Sequence, residues 1–184
     1  MIEQDILNLI ENDPWMMKII HIAADLNLPD WVIGAGFVRN KVWDYLHGYS
    51  RAVVDTADID LVYFDPNGND PKEDDKLSEK LKKETGFEWE VVNQAYAHRW
   101  NDLPPYKSIE DALSQWLETV TAIGVRLEGG DLKLIAPYGI DDLVNLVVRS
   151  SPKFTDIDKV KERLKQKRWL EKWPKLKLAP WVSE

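Results

Sequence analysis

One stretch, residues 31–65, constrains this chain more than any other. It opens with W-V-I-G-A-G-F-V-R-N (31–40) and closes with D-I-D-L-V-Y-F-D (58–65). The first half reads as a buried strand that breaks on glycine and turns into a helix. Gly34 and Gly36 allow positive φ and close backbone approach, and a helix start presents free N–H groups to an anion. The second half reads as a strand. There, period-two alternation puts Asp58 and Asp60 on one face and turns Ile59 and Leu61 into the core. Two carboxylates so close repel each other unless a cation sits between them. Magnesium takes oxygen ligands, usually one or two carboxylates plus substrate phosphates. A glycine turn facing a carboxylate pair can therefore hold a nucleoside triphosphate with Mg2+. Two such ions could position an attacking oxygen and stabilise a leaving pyrophosphate. The blander reading of the same residues is an edge strand with solvated aspartates.

Length and composition narrow the rest. The chain has 184 residues, 44% of them hydrophobic, which fits one domain with a sizeable core. Residues 1–150 form its body, and residues 151–184 read as a basic helix and tail packed on the same domain. There is no cysteine, so disulfides, iron–sulfur clusters and thiolate zinc sites are excluded. The lack of cysteine and of a basic-then-apolar leader fits a cytoplasmic protein. No apolar run reaches the roughly 20 residues of a membrane helix. The formal net charge is −8; residues 151–184 hold 10 basic and 5 acidic residues, so +5, leaving −13 for residues 1–150. So acidic a body is a poor general binder of nucleic acid, but metal-bridged phosphate binding is compatible with it. His21, His47 and His98 are scattered and make no metal set. The chain carries no G-x-S-x-G, no H-E-x-x-H and no G-K-[ST], and Arg39 stands where a dinucleotide fingerprint needs its last glycine. Most of the nine tryptophans read as core or lid residues, with stacking on a base or sugar as the second use.

Periodicity supplies the elements around this stretch. Helices are expected over 2–11 and from Pro14 to about 27, the second capped by Asp13. A third should run over 37–46, with 51–57 a linker or flap. A strand over 57–64 leads into a loop at 65–71, a charged helix over 72–85 ended by Gly86, and a strand over 87–92. Ser108 caps a helix through about 116. Segments 121–127 and 132–135 form a hairpin, 139–148 a helix, and 156–169 a basic helix with Lys161, Lys165, Arg168 and Lys172 on one stripe. The stripe reads as a solvated face, or as a docking surface for a partner. The fold class is α/β (α+β): a small mixed, twisted sheet with helices mainly on one face.

G-A-G-F-V-R-N followed by D-I-D resembles the nucleotidyltransferase superfamily of DNA polymerase β. More narrowly it is similar to the head domain of CCA-adding enzymes, where G-G-x-V-R-D precedes D-x-D. It also looks like a group of small bacterial nucleotidyltransferase family proteins. Their segments are matched by L-P-D-W-V-I-G-A-G-F-V-R-N-K-V-W-D, D-I-D-L-V-Y-F-D, W-E-V-V-N-Q-A, G-V-R-L and I-A-P-Y-G-I-D-D-L. The resemblance implies that Gly34, Ala35, Gly36, Arg39 and Asn40 lie at the triphosphate and that Asp58 and Asp60 hold magnesium. Glu90, on the third strand, is the candidate third carboxylate. Asn40 stands where CCA-adding enzymes have aspartate, and the group's pattern near Glu90 centres on Asn93-Gln94. The implied activity is transfer of a nucleoside monophosphate from an NTP to a hydroxyl acceptor, with a small molecule or protein side chain suiting this chain better than tRNA. The alternatives are a nucleotidyltransferase-fold module that binds a nucleotide or protein without catalysis, and a toxin–antitoxin component docking through the basic helix.

Overall fold

The computed structural model describes residues 1–50, 58–68, 70–154 and 156–180; the flap expectation for 51–57 lies outside them. Two amphipathic helices open the chain, α1 (Glu3–Glu11) and α2 (Pro14–Asp25). The Asp13 carboxylate caps α2 by accepting from the Trp15 and Met16 amides. Strand β1 (Val32–Gly34) leads into α3 (Gly36–His47), and β2 (Ile59–Tyr63) is followed by α4 (Pro71–Thr85) and β3 (Trp89–Asn93). The chain then makes a short helix α5 (Gln94–Ala97), a 3-10 turn (His98–Asn101) and α6 (Ile109–Leu113). A hairpin of β4 (Gly124–Glu128) and β5 (Asp131–Ile135) follows, its two-residue turn made by Gly129 and Gly130, both at positive φ.

The described strands form a mixed five-stranded sheet in the order β3-β2-β1-β4-β5. Only β2 and β3 run parallel in it, and α4 is the crossover between them. The face carrying Ile33, Ile59, Leu61, Val91 and Val125 packs into the main core with the buried sides of α1, α2 and α3. The opposite face is covered by a thinner layer, in which Val32 and Val62 pack on Ile109 and Leu113 of α6. Helices therefore lie mainly on one face, as the sequence implied.

The expected helix over 139–148 is a correction. Only α7 (Asp141–Val144) is helical, Leu146 turns to φ +59°, and the chain enters β6 (Val147–Val148). The reason is nonlocal: β7 (Lys177–Leu178) pairs in parallel with β6. Between them run α8 (Ile157–Lys167) and α9 (Trp169–Lys172). Trp169 and Trp173 are buried edge-on against Trp43 of α3, with ring centroids 5.4 and 5.1 Å away, and the Trp173 indole N–H donates to Asp44.

Candidate functional site

Register brings the site together. Asp60 is the Cα partner of Glu90 across the parallel β2–β3 ladder. Neighbouring strands lie about 4.8 Å apart and paired residues share a face, so the two carboxylates sit side by side. Ile59 and Leu61 are buried on the opposite face, 1% and 0% exposed. Asp58 precedes β2 and is exposed, while Asp60 is partly buried.

The electrostatics follow from that placement. Burial pushes the Asp60 carboxyl up to about 7, and the negative Glu90 adds to the rise. Arg39 opposes it, and Asp58 adds a smaller upward push. Among the described residues no donor hydrogen-bonds the Asp60 carboxylate. Nor do any three His, Asp or Glu side chains there already close on one point as a metal cage.

Arg39, on α3, is the positive charge that opposes the rise at Asp60. It is 6% exposed. Its Nε and Nη2 donate to Asn40 Oδ1 at 3.2 and 3.0 Å, and its Nη1 donates to Thr121 Oγ1 at 3.0 Å. The guanidinium stacks over Trp169 at 4.1 Å and lies 5.3 Å from the Trp43 ring. Burial lowers its pKa to about 10, while Glu118 counteracts, so it stays charged at neutral pH. Glu118, fully buried, accepts from Thr121 Oγ1 and pairs with Arg163 of α8 at 3.4 Å. Arg39 and Asn40 thus engage each other and the chain's own interior, and the Arg39 charge reaches Asp60 through space.

The glycine turn has a double character. Gly34 lies under the Trp116 ring: a Cβ there would meet the ring at 2.8 Å, so any side chain would force that ring to shift. Ala35 takes φ +52°, a backbone that costs energy for a residue with a side chain. It leads into α3 with no side chain capping that helix start. The first amide groups of α3, from Gly36 onward, are thereby left for other acceptors.

The resemblance centres a pattern on Asn93-Gln94 without giving either a role, and both shape the site. Asn93 is structural. Its side chain accepts from the Asp65 and Ala95 amides and donates to the Asp65 and Gly68 carbonyls, which fixes the loop after β2. Gln94, 5% exposed, lines a cavity of about 200 Å3 whose wall also includes Asp60, Glu90, Trp100, Tyr106 and Trp116. The signal was present in the sequence. Gln94 follows Glu90 by four residues, but the turn from strand into helix that aims it was not legible. A second, larger cavity of about 450 Å3 is bordered by Asp30, Arg126 and Lys133, whose charges are already paired, Arg126 with Asp30 and Glu128 and Lys133 with Glu128.

A nucleotidyltransferase family model matches residues 21–178. The chain belongs to the nucleotidyltransferase family. The same is borne out by a solved NMR structure described as a CCA-adding enzyme head domain. It is 36% identical, superposes with a TM-score of 0.86, and the match covers 96% of this chain and 95% of that one. The Thermotoga maritima CCA-adding enzyme complexed with tRNA matches at 20% identity and a TM-score of 0.57. This chain is covered over 94% of its length and spans 42% of that one. A CCA-adding enzyme in complex with CTP matches at 20% identity and a TM-score of 0.54, over 96% of this chain and 42% of that one. At such identities these last two share the fold. No curated protein sequence matches. Among the described residues no helix is long and apolar enough to cross a membrane.

Proposed function

We propose that this nucleotidyltransferase family member transfers a nucleoside monophosphate from an NTP to a hydroxyl acceptor, with Mg2+ held at Asp58 and Asp60 beside Glu90. The observation that carries the reading is the Asp60–Glu90 register together with the Asp60 carboxyl raised to about 7. A partly buried carboxylate with a like charge beside it and no donor is a destabilised group, and a divalent cation relieves both causes. The donor set is all oxygen, as magnesium requires. When bound, such an ion supplies charge neutralisation at the phosphates.

The chain's own residues supply the rest. The uncapped start of α3 presents backbone N–H groups and the positive helix end to a triphosphate. Gly36, the first residue of that helix, lets the backbone approach the phosphates. Arg39, fixed by Asn40 and Trp169, acts on Asp60 with its positive charge from the interior. Glu90 is the group placed to take the proton from the acceptor hydroxyl. The acceptor oxygen then bonds to the α-phosphorus, the bond from that phosphorus to the α–β bridging oxygen breaks, and pyrophosphate leaves. The relatives solved with CTP and with ATP support a triphosphate as donor. We assign the acceptor to small molecules or protein side chains, because a body carrying −13 over residues 1–150 repels a nucleic-acid backbone.

The test is pyrophosphate release with each NTP, Mg2+ and a panel of hydroxyl acceptors. Release that is lost in Asp60→Asn and in Glu90→Gln is expected. Undiminished release by both variants removes these carboxylates from the chemistry. Nucleotide binding without turnover across the panel favours the non-catalytic module instead.

A further inference from the structure

The cavity beside the carboxylates is larger than ion binding needs and has a different chemistry. Asp60 and Glu90 border it at one part of its wall, while Trp100, Tyr106, Trp116 and Phe154 contribute aromatic surface. At about 200 Å3 it falls below the roughly 300–1,000 Å3 that encloses a drug-sized ligand, so it takes one ring system and not a whole nucleotide. Two further observations point to what that ring carries. Gln94 is 5% exposed, lines the cavity, and has no hydrogen-bond partner for its side-chain amide among the described residues. The Gln94 amide atoms are not sealed in the interior, so they are open to solvent, and a ligand's polar edge can replace water on them. Trp100, in the same wall, is 66% exposed. It meets Tyr96 edge-on at 6.0 Å, a contact that leaves much of the indole to solvent. A large aromatic left exposed beside a cavity is a stacking surface.

We propose that this cavity is a nucleobase subsite, with Gln94 reading the hydrogen-bonding edge of the base and Trp100 and Trp116 contacting its ring. A side-chain amide can donate and accept in one plane, the pattern a base edge presents. Stacking contributes affinity for any base, and Gln94 discriminates among them. The subsite adjoins Asp60 and Glu90, so the base belongs to a molecule whose reacting group lies at those carboxylates. That clause rests on the nucleotidyl-transfer reading; the cavity and its open amide do not. Two molecules could bring the base, the NTP itself or a nucleoside-bearing acceptor, and binding competition tells them apart.

The experiment uses the whole chain and four probes: adenosine, guanosine, cytidine and uridine, each tested alone and with its triphosphate or with inorganic tripolyphosphate and Mg2+. Tryptophan fluorescence and the side-chain signals of Gln94, Trp100 and Trp116 in a nitrogen-15 spectrum report binding. At least one nucleoside is expected to shift all three signals. Trp100→Ala, on an exposed side chain that the fold can spare, should weaken every base by about tenfold. It should leave tripolyphosphate binding as it was. Gln94→Met, close in volume, should bring the affinities for the four bases to within about threefold of one another while stacking persists. A nucleoside that competes with NTP assigns the subsite to the donor's base; one that binds beside NTP assigns it to the acceptor. Both uphold the subsite. If NTP and tripolyphosphate bind but neither variant changes affinity or preference, the subsite is overturned and the phosphate site stands. If nucleosides bind and tripolyphosphate does not, the subsite stands and the transfer reading falls.

Discussion

Two aspartates fourteen positions apart, Asp60 and Asp74, show how differently one fold can treat a buried carboxylate. Asp74, on α4, is 3% exposed, yet it is surrounded by donors. It accepts from the Tyr63 hydroxyl at 2.7 Å, from the Asn93 amide at 2.7 Å and from the Tyr96 hydroxyl. Those hydroxyls pay in turn: burial and the bond to Asp74 push both tyrosines above their ordinary pKa. Asp60, on the neighbouring strand, receives no donor among the described residues and has Glu90 beside it. The first carboxylate ties α4, β2, β3 and α5 together. The second is left in a state that only a proton or a cation can relieve. A satisfied buried charge is a structural bolt, and an unsatisfied one beside a cavity is a place for chemistry.

The sharpest way to break this contrast is to neutralise the open site. Asp60→Asn combined with Glu90→Gln should cut pyrophosphate release by on the order of a thousandfold, measured under saturating Mg2+ and NTP. The fold should survive, with an unchanged far-ultraviolet circular dichroism spectrum. Asp74→Ala should do the reverse. It strands two hydroxyls and an amide, and chemical denaturation should register a loss of about 3 kcal/mol.

A subtler prediction concerns pH. The folded Asp60 pKa of about 7 lies above its ordinary value of 3.8. Between those values the native state holds a proton the unfolded chain has lost. Stability should therefore be fully present below about pH 4 and decline as pH rises through 7, as far as this group is concerned. Asp60→Asn should stabilise the metal-free protein at both pH 5 and pH 8, and by about 1–2 kcal/mol more at pH 8 than at pH 5. Thermal melts at both values, with a chelator present, check this. Adding Mg2+ at pH 8 should stabilise the wild type and not the variant. The smallest shift is the one that Glu90→Gln should cause in Asp60 itself, since it removes one negative neighbour. The Asp60 titration midpoint, followed by carboxyl carbon-13 shifts, should move downward.

The contrast also marks what could be read from the chain in advance. Local rules carried Asp13, Ser108 and Gly86 to their caps, and period-two alternation put Ile59 and Leu61 in the core opposite Asp60. Glu90 could be proposed as the third acid, but its register against Asp60 is a pairing between strands thirty residues apart. No local pattern encodes that. The same limit explains the misread helix at 139–148, whose end is dictated by a strand at 177–178. It also explains Trp116 over Gly34, since both partners were visible and their meeting was not. The family resemblance implies Arg39 as a phosphate ligand. Its neighbours Trp169 and Thr121 lie 130 and 82 positions further on.

That last distance bears on how the protein is made. Trp173 donates to Asp44 across 129 positions, and Trp169 closes over Arg39. A chain emerging from the ribosome therefore completes the glycine turn and both acidic strands long before the tryptophans that wall in Arg39 exist. Until they arrive, that arginine stands in water and its pull on Asp60 is screened. The order of synthesis thus separates a sheet whose strands are all made by residue 135 from an electrostatic centre finished by the last helices to appear.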